Sequence, residues 1–218
     1  MTPKLWMTIA GLCLLTACGP MNNGAFGADL IKGRLSKLTG TAPAAQPAPA
    51  PVPDLANAAP GDILLVTIMS RNAVAPLTKI AQNGDTVTWV SPGQVSMTLK
   101  DGILIATRGL NEDLMGADVT RVRSALAARG GSANRTHSYL DSEDQIILRK
   151  VSCIITEDGA DTIAAATGAR EAVKYTEACT SPEFVFSNIY WLDTPGGTIV
   201  QSRQAVAPMT GFLQINPL

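Results

Sequence analysis

The chain has 218 residues, with 17 basic and 18 acidic side chains, a net charge of −1 and only 16% charged residues. That balance leaves no basic face for nucleic acid and no polybasic patch for anionic lipid headgroups. A single histidine leaves metal chemistry short of ligands, and 19 Gly with 14 Pro suit a turn-rich β protein better than a helical bundle.

Met1 to Lys4 is a short positive start, and Leu5 to Leu15 is an apolar run holding Trp6, Ile9, Leu12 and Leu14. Spanning a bilayer takes about 20 apolar residues, so this run reads as the core of a signal peptide, residues 1–17. It ends in Leu15-Thr16-Ala17-Cys18, which looks like a bacterial lipobox. Small residues fit the peptidase cleft, and the Cys18 thiol accepts diacylglycerol before cleavage. An ordinary secretory signal with a chance cysteine is the rival reading. Cys13 leaves with the signal. Two or more acyl chains, palmitate among them, anchor stably because each buried methylene contributes roughly 0.8 kcal/mol. Gly19 in place of an aspartate favours the outer membrane, with the domain in the periplasm.

Residues 18–60 read as a tether. Gly19 to Gly40 is polar, with Leu30, Ile31, Leu35 and Leu38 on one face of a short amphipathic helix that docks on the domain or lies on the membrane. Thr41 to Pro60 carries Pro43, Pro47, Pro49, Pro51, Pro53 and Pro60. Such a segment extends by about 3.1 Å per residue, roughly 60 Å in all. A plain spacer and a docking motif for a Pro-recognising module are both open.

From Gly61 the pattern changes to strands, giving one β-rich domain over 61–218. Ile63–Met69 and Val74–Ala81 come first, and Asn83-Gly84 then leads into Thr86–Val90 as a hairpin. Val95, Met97 and Leu99 alternate up to Asp101-Gly102, and Ile103 and Ile105 alternate away from it. Ala117–Arg129 breaks the rhythm as a helix, with Asp118 as N-cap, Val119, Val122 and Leu126 on one face, and Gly130-Gly131 as its stop. Strands resume at Arg135–Leu140, Gln145–Thr156, Arg170–Cys179, Phe184–Leu192, Thr198–Gln204 and Gly211–Ile215. The expected fold is mainly β: an antiparallel meander closing as a sandwich or partly open barrel, with one or two short helices.

Cys153 shares a strand face with Val151 and Ile155, and Cys179 with Val173 and Tyr175, so both point to the core. In an exported protein a structural disulfide is the leading reading, contributing roughly 3–4 kcal/mol through loop closure. Metal binding by two thiols without a histidine, and redox chemistry without Cys-x-x-Cys spacing, are weaker rivals.

No catalytic set, metal site or cofactor motif is expected. His137 lies beside Ser138 and Tyr139 with no Gly-x-Ser-x-Gly elbow to serve. The acids Glu112-Asp113 and Asp141, Glu143, Asp144 sit at turns, where solvation and capping account for them; a glycosidase would need two facing across a cleft. Asn134-Arg135-Thr136 matches a glycosylation sequon by coincidence. Of Tyr190-Trp191, alternation sends one ring inward and leaves the other at the surface, for packing or for stacking on a sugar.

The stretch Asn188-Ile189-Tyr190-Trp191-Leu192-Asp193, then Gly197-Thr198-Ile199-Val200-Gln201-Ser202-Arg203-Gln204, Pro208 and Gly211, resembles the YjbF family of bacterial lipoproteins, related to group 4 capsule polysaccharide lipoproteins. Thr107-Arg108-Gly109-Leu110-Asn111-Glu112-Asp113-Leu114 is similar to that family as well, and the likeness covers the chain from about Asp62 onward. Ala205 departs from it, standing where a Trp is expected. The resemblance implies a mostly β, outer-membrane lipoprotein with no established enzyme activity, associated with exopolysaccharide or capsule machinery. It would contact the polysaccharide or its export proteins, and Arg108, Glu112, Tyr190, Trp191, Arg203 and Gln204 are the candidate binding surface. A carbohydrate-active enzyme with paired carboxylates and a purely structural envelope lipoprotein are the alternatives.

Overall fold

The computed structural model describes residues 61–165 and 168–218, together with Ala59. The expected signal peptide, the expected lipidation site at Cys18, the expected amphipathic stretch near Leu30 and the rest of the expected tether lie outside the described residues.

Alternation in the sequence becomes thirteen strands and one α-helix: β1 Ile63–Ile68, β2 Ala73–Asn83, β3 Thr86–Val90, β4 Ser96–Lys100, β5 Ile103–Arg108, β6 Gly116–Asp118, α1 Thr120–Ala127, β7 Gly130–Ser132, β8 Arg135–Leu140, β9 Ile146–Ala165, β10 Gly168–Thr180, β11 Val185–Leu192, β12 Ile199–Ala207 and β13 Gly211–Pro217. The strands form one sheet in the order β5-β4-β3-β2-β1-β13-β12-β11-β10-β9-β8-β6, with β7 added on β9. The described ladders are antiparallel, and the sheet rolls into a nearly closed barrel. Its two end strands meet where the Thr107 N–H donates to the Leu114 carbonyl at 2.9 Å.

Local chemistry explains the turns. Asp101 and Gly102 have φ of 49° and 79°, the paired positive values of a two-residue hairpin turn whose twist matches its strands. The helix begins three residues later than its apolar spacing predicts, because Gly116–Asp118 is drawn into pairing with Thr136–Ser138. The N-cap position falls to Val119 instead of the expected Asp118, which lies one residue outside and accepts the Thr120 N–H at 3.0 Å. The strand expected to stop at Thr156 runs on to Ala165. Glu157-Asp158-Gly159 reads locally as a turn, but a bulge opposite Lys174 and Tyr175 absorbs it, with Gly159 at φ 103°.

Hydrophobic side chains collect in two clusters. One holds Val122 and Leu126 of α1 with Cys153, Ile155, Tyr175, Phe186, Tyr190 and Leu192, and the other holds Leu64, Val66, Trp89, Met97, Leu213 and Ile215. Strands β5 and β12 divide them. Ile103 and Ala205 belong to the first cluster, while Leu104, Val206 and Ala207 belong to the second. Cys153 and Cys179 stand directly opposite each other on β9 and β10 and are joined in a disulfide.

Because successive strands alternate in direction, the turns fall at two ends. The upper end carries the turns at Met69–Arg71, Ser91–Val95, Asp141–Gln145 and Pro208–Thr210. The lower end carries Asp101-Gly102, the loop Asp193–Thr198 and α1, whose Arg123 donates to the Gly197 carbonyl at 3.0 Å. Gly61 and Leu218 also meet at the lower end, the Gly61 N–H donating to the Leu218 carbonyl at 2.8 Å.

Candidate functional site

Polar groups run along the partition between the two clusters, and they are spent on structure. Glu177 is fully buried, and one of its oxygens accepts from Arg135 Nη1 at 3.0 Å, Asn188 Nδ2 at 2.7 Å and Tyr190 Oη at 2.7 Å. Burial is the strongest single influence and works against the Arg135 charge, but the Glu177 carboxylate, Tyr190 and Tyr139 together outweigh it and hold the guanidinium's pKa above its ordinary value. Burial, with the same carboxylate second, pushes Tyr190 well above the usual phenol range. Gln204 acts as a substitute strand: its Oε1 accepts the Leu104 N–H at 2.8 Å and its Nε2 donates to the Gly102 carbonyl at 2.8 Å. These bonds satisfy a β5 edge that would otherwise be buried with open backbone groups, a cost of about 1–3 kcal/mol per group. Glu177 and both cysteine sulfurs lie within 4.8 Å of one another, yet the sulfurs are bonded to each other and Glu177 Oε2 is taken by three donors, so this is a strut rather than a metal centre.

His137 is buried and neutral. Burial first, and the Arg135 charge second, lower its pKa to about 3. Its Nδ1 lies 3.0 Å from the Tyr139 hydroxyl, which itself donates to the Val206 carbonyl at 2.8 Å, so Nδ1 carries the proton. The turn acids are caps: Asp141 accepts the Glu143 and Gln145 N–H groups, and Asp113 accepts those of Gly109 and Leu110.

The residues expected to form one binding surface are scattered. Tyr190 and Gln204 are 0% and 1% exposed, which corrects their assignment to a surface: alternation turns both inward, one onto Glu177 and one onto β5. Arg108 and Glu112 lie at the upper end and clamp loops. Arg108 donates to the carbonyls of Thr107, Leu114 and Met115, and Glu112 accepts the Met209 N–H at 2.9 Å. Arg203 lies over the Phe212 ring, 5.6 Å from its centre. Ala205, where a Trp was expected, is 3% exposed within the core, so that position belongs to packing. Trp191 alone stands near an opening. Its indole N–H donates to Asp161 at 2.8 Å, holding that carboxyl below the usual range, and it pairs across the sheet with Gln201.

That opening is a cleft of about 740 Å³ at the lower end, a size suited to a ligand. Ile163, Ala164, Ala165 and Arg170, from the far part of the β9–β10 hairpin, form one side of its lining. Thr198, Val200 and Gln201 from β12 and the loop before it, Leu65 from β1 and Asn216 from β13 contribute the rest, with Asp193, Gly61 and Leu218 at the lower ends of β11, β1 and β13. Sequence reasoning singled out none of these side chains as binding residues, because they converge from five separate strands and only Trp191 of the sequence candidates stands beside the region. The hairpin is fastened beside the cleft by Glu157, which takes both an Arg129 fork at 2.7 and 2.6 Å and the Tyr175 hydroxyl at 2.6 Å. Those hydrogen bonds, Arg129 first, hold Glu157 at a pKa of about 2.

Comparison with known proteins supplies a context for this geometry. Residues 38–218 match the family described as group 4 capsule polysaccharide lipoprotein gfcB, YjbF. The crystal structure of the hypothetical lipoprotein YmcC from Escherichia coli (K12) superposes with a TM-score of 0.59 at 18% identity, covering 71% of this chain and 80% of that one. At that identity the likeness establishes a shared fold. No curated protein matches the chain.

Proposed function

We propose, for a chain that belongs to the YjbF family of group 4 capsule polysaccharide lipoproteins, an accessory role in producing or exporting a surface polysaccharide, exercised by binding rather than catalysis. The observation that carries the reading is the family match over 38–218, which spans the whole β domain. Membership in a lipoprotein family implies a membrane-anchored place in the cell envelope. The finer location is our proposal: lipid on Cys18, the outer membrane, and a domain in the periplasm, supported by the Leu15-Thr16-Ala17-Cys18 motif and by Gly19.

Binding in preference to catalysis is supported by how the acids are used. Asp113 and Asp141 cap turns, Glu157 holds an arginine and a tyrosine, and Glu177 sits at the centre of a buried network. Glycosidic cleavage by the usual route needs an acid and a second carboxylate about 5–10 Å apart and open to substrate. Deleting the gene and weighing cell-bound polysaccharide tests the role: the polymer falls and returns with the wild-type chain, whereas unchanged polymer overturns it. Incubating the purified lipoprotein with the isolated polymer tests the mode. An unaltered chain-length distribution is expected, and depolymerisation would replace binding with catalysis.

A further inference from the structure

We propose that the lower cleft binds a carboxylate-bearing saccharide, with the Arg170 guanidinium taking the acid group and the Gln201 and Asn216 amides taking hydroxyl and ring oxygens. The inference rests on the polysaccharide role proposed above and names its site and ligand class.

The argument is a balance of donors against acceptors. Arg170 is exposed, lines the cleft and makes no ion pair among the described residues. Its fork presents up to five N–H donors in the plane that matches a carboxylate. Asn216 Oδ1 already accepts from Gln214 Nε2 at 3.3 Å, which leaves the two Asn216 N–H groups as its free capacity among the described residues. Gln201 and Thr198 also line the cleft, and the Gln201 amide makes no hydrogen bond among the described residues. Two carboxylates share the lining and both are partly spent: Asp193 Oδ1 accepts the Thr198 N–H at 2.8 Å and the Thr194 hydroxyl at 3.3 Å, and the Leu218 carboxylate accepts the Gly61 N–H at 2.8 Å. The Arg170 fork and the free amide N–H groups suit a molecule rich in oxygen acceptors, with one carboxylate seated on the fork. Leu65, Ile163, Val200 and Pro217 provide apolar wall for the C–H faces of sugar rings, and the half-buried Trp191 ring lies next to Gln201. A purely apolar ligand would leave these amides unpaired. A phosphate monoester would need more than the single cation found here.

The test uses the full-length lipoprotein in mild detergent and calorimetric titration with two probes, oligogalacturonate and uncharged maltohexaose. Wild type is expected to bind oligogalacturonate at least tenfold more tightly than maltohexaose. Arg170→Ala removes that preference, Gln201→Trp fills the cleft and removes binding, and Arg71→Ala, exposed at the upper end, changes neither. Circular dichroism of each variant confirms that the sheet is retained. Absence of oligogalacturonate binding to wild type, or binding undiminished in both cleft variants, overturns the proposal. The same variants separate this site from the broader role. If deletion abolishes the polymer and Gln201→Trp restores it fully, the cleft is refuted and the polysaccharide role stands.

Discussion

An arginine, a carboxylate, an asparagine and a glutamine meet twice in this molecule, once in the dry interior and once at the open lower end. In the interior, Arg135, Glu177, Asn188 and Gln204 spend their hydrogen bonds on one another and on a strand edge. At the lower end, Arg170, Asp193, Asn216 and Gln201 line a cleft and keep most of their capacity turned outward. The side-chain types nearly coincide, so residue identity does not decide the role. Burial decides it. A buried charge must be answered within the fold at once, whereas a charge facing water can wait for a ligand.

Substitution can break that contrast. Glu177→Ala leaves the Arg135 guanidinium buried without its partner, and a loss of about 3–5 kcal/mol is expected from urea unfolding followed by fluorescence. A loss below about 1 kcal/mol would mean the interior network is as expendable as the cleft. Acid gives the next effect. His137 titrates at about 3 in the fold and near the ordinary imidazole value of 6.5 when unfolded, so the unfolded chain takes up the proton first as pH falls. The stability conferred by the neutral ring is complete above 6.5, declines as pH drops from there toward 3, and is lower by about 2 kcal/mol at pH 5. Unfolding His137→Phe at pH 7 and pH 5 should show that difference largely erased. The smallest effects belong to the cleft: Arg170→Ala and Gln201→Ala are each expected within about 0.5 kcal/mol of wild type in the same assay. A larger cost there would make the cleft part of the architecture.

The fold was legible where its causes are local. Alternating apolar residues around Asn83-Gly84 and Asp101-Gly102 mark hairpins because turn chemistry acts over a few residues, and the inward faces of Cys153 and Cys179 follow from the period of two. The extension of β9 beyond Thr156 was not legible, because pairing with β10 overrides the turn preference of Asp158-Gly159. Gln204 was misplaced for a similar reason. Its partners are the backbone of Gly102 and Leu104, about a hundred positions away, and no local pattern announces them. Arg135 carried a signal that went unused: it shares the inward register of His137 and Tyr139, and an arginine on that face needs a buried acid. Of the proposed ligand site, the sequence offered only Trp191, since the cleft is made by strands that meet through the roll of the sheet.

The joining of Gly61 to Leu218 has a mechanical consequence. The tether leaves the domain at the foot of β1, and the cleft opens beside the feet of β1, β12 and β13. On the proposed reading, a pull between a lipid on Cys18 and a saccharide held in the cleft would enter and leave the domain through neighbouring strands, with the rungs between β1 and β13 and between β13 and β12 sharing the strain. The disulfide and the upper turns would stay outside that load path, and a held polymer would tug on its holder without prying the barrel open.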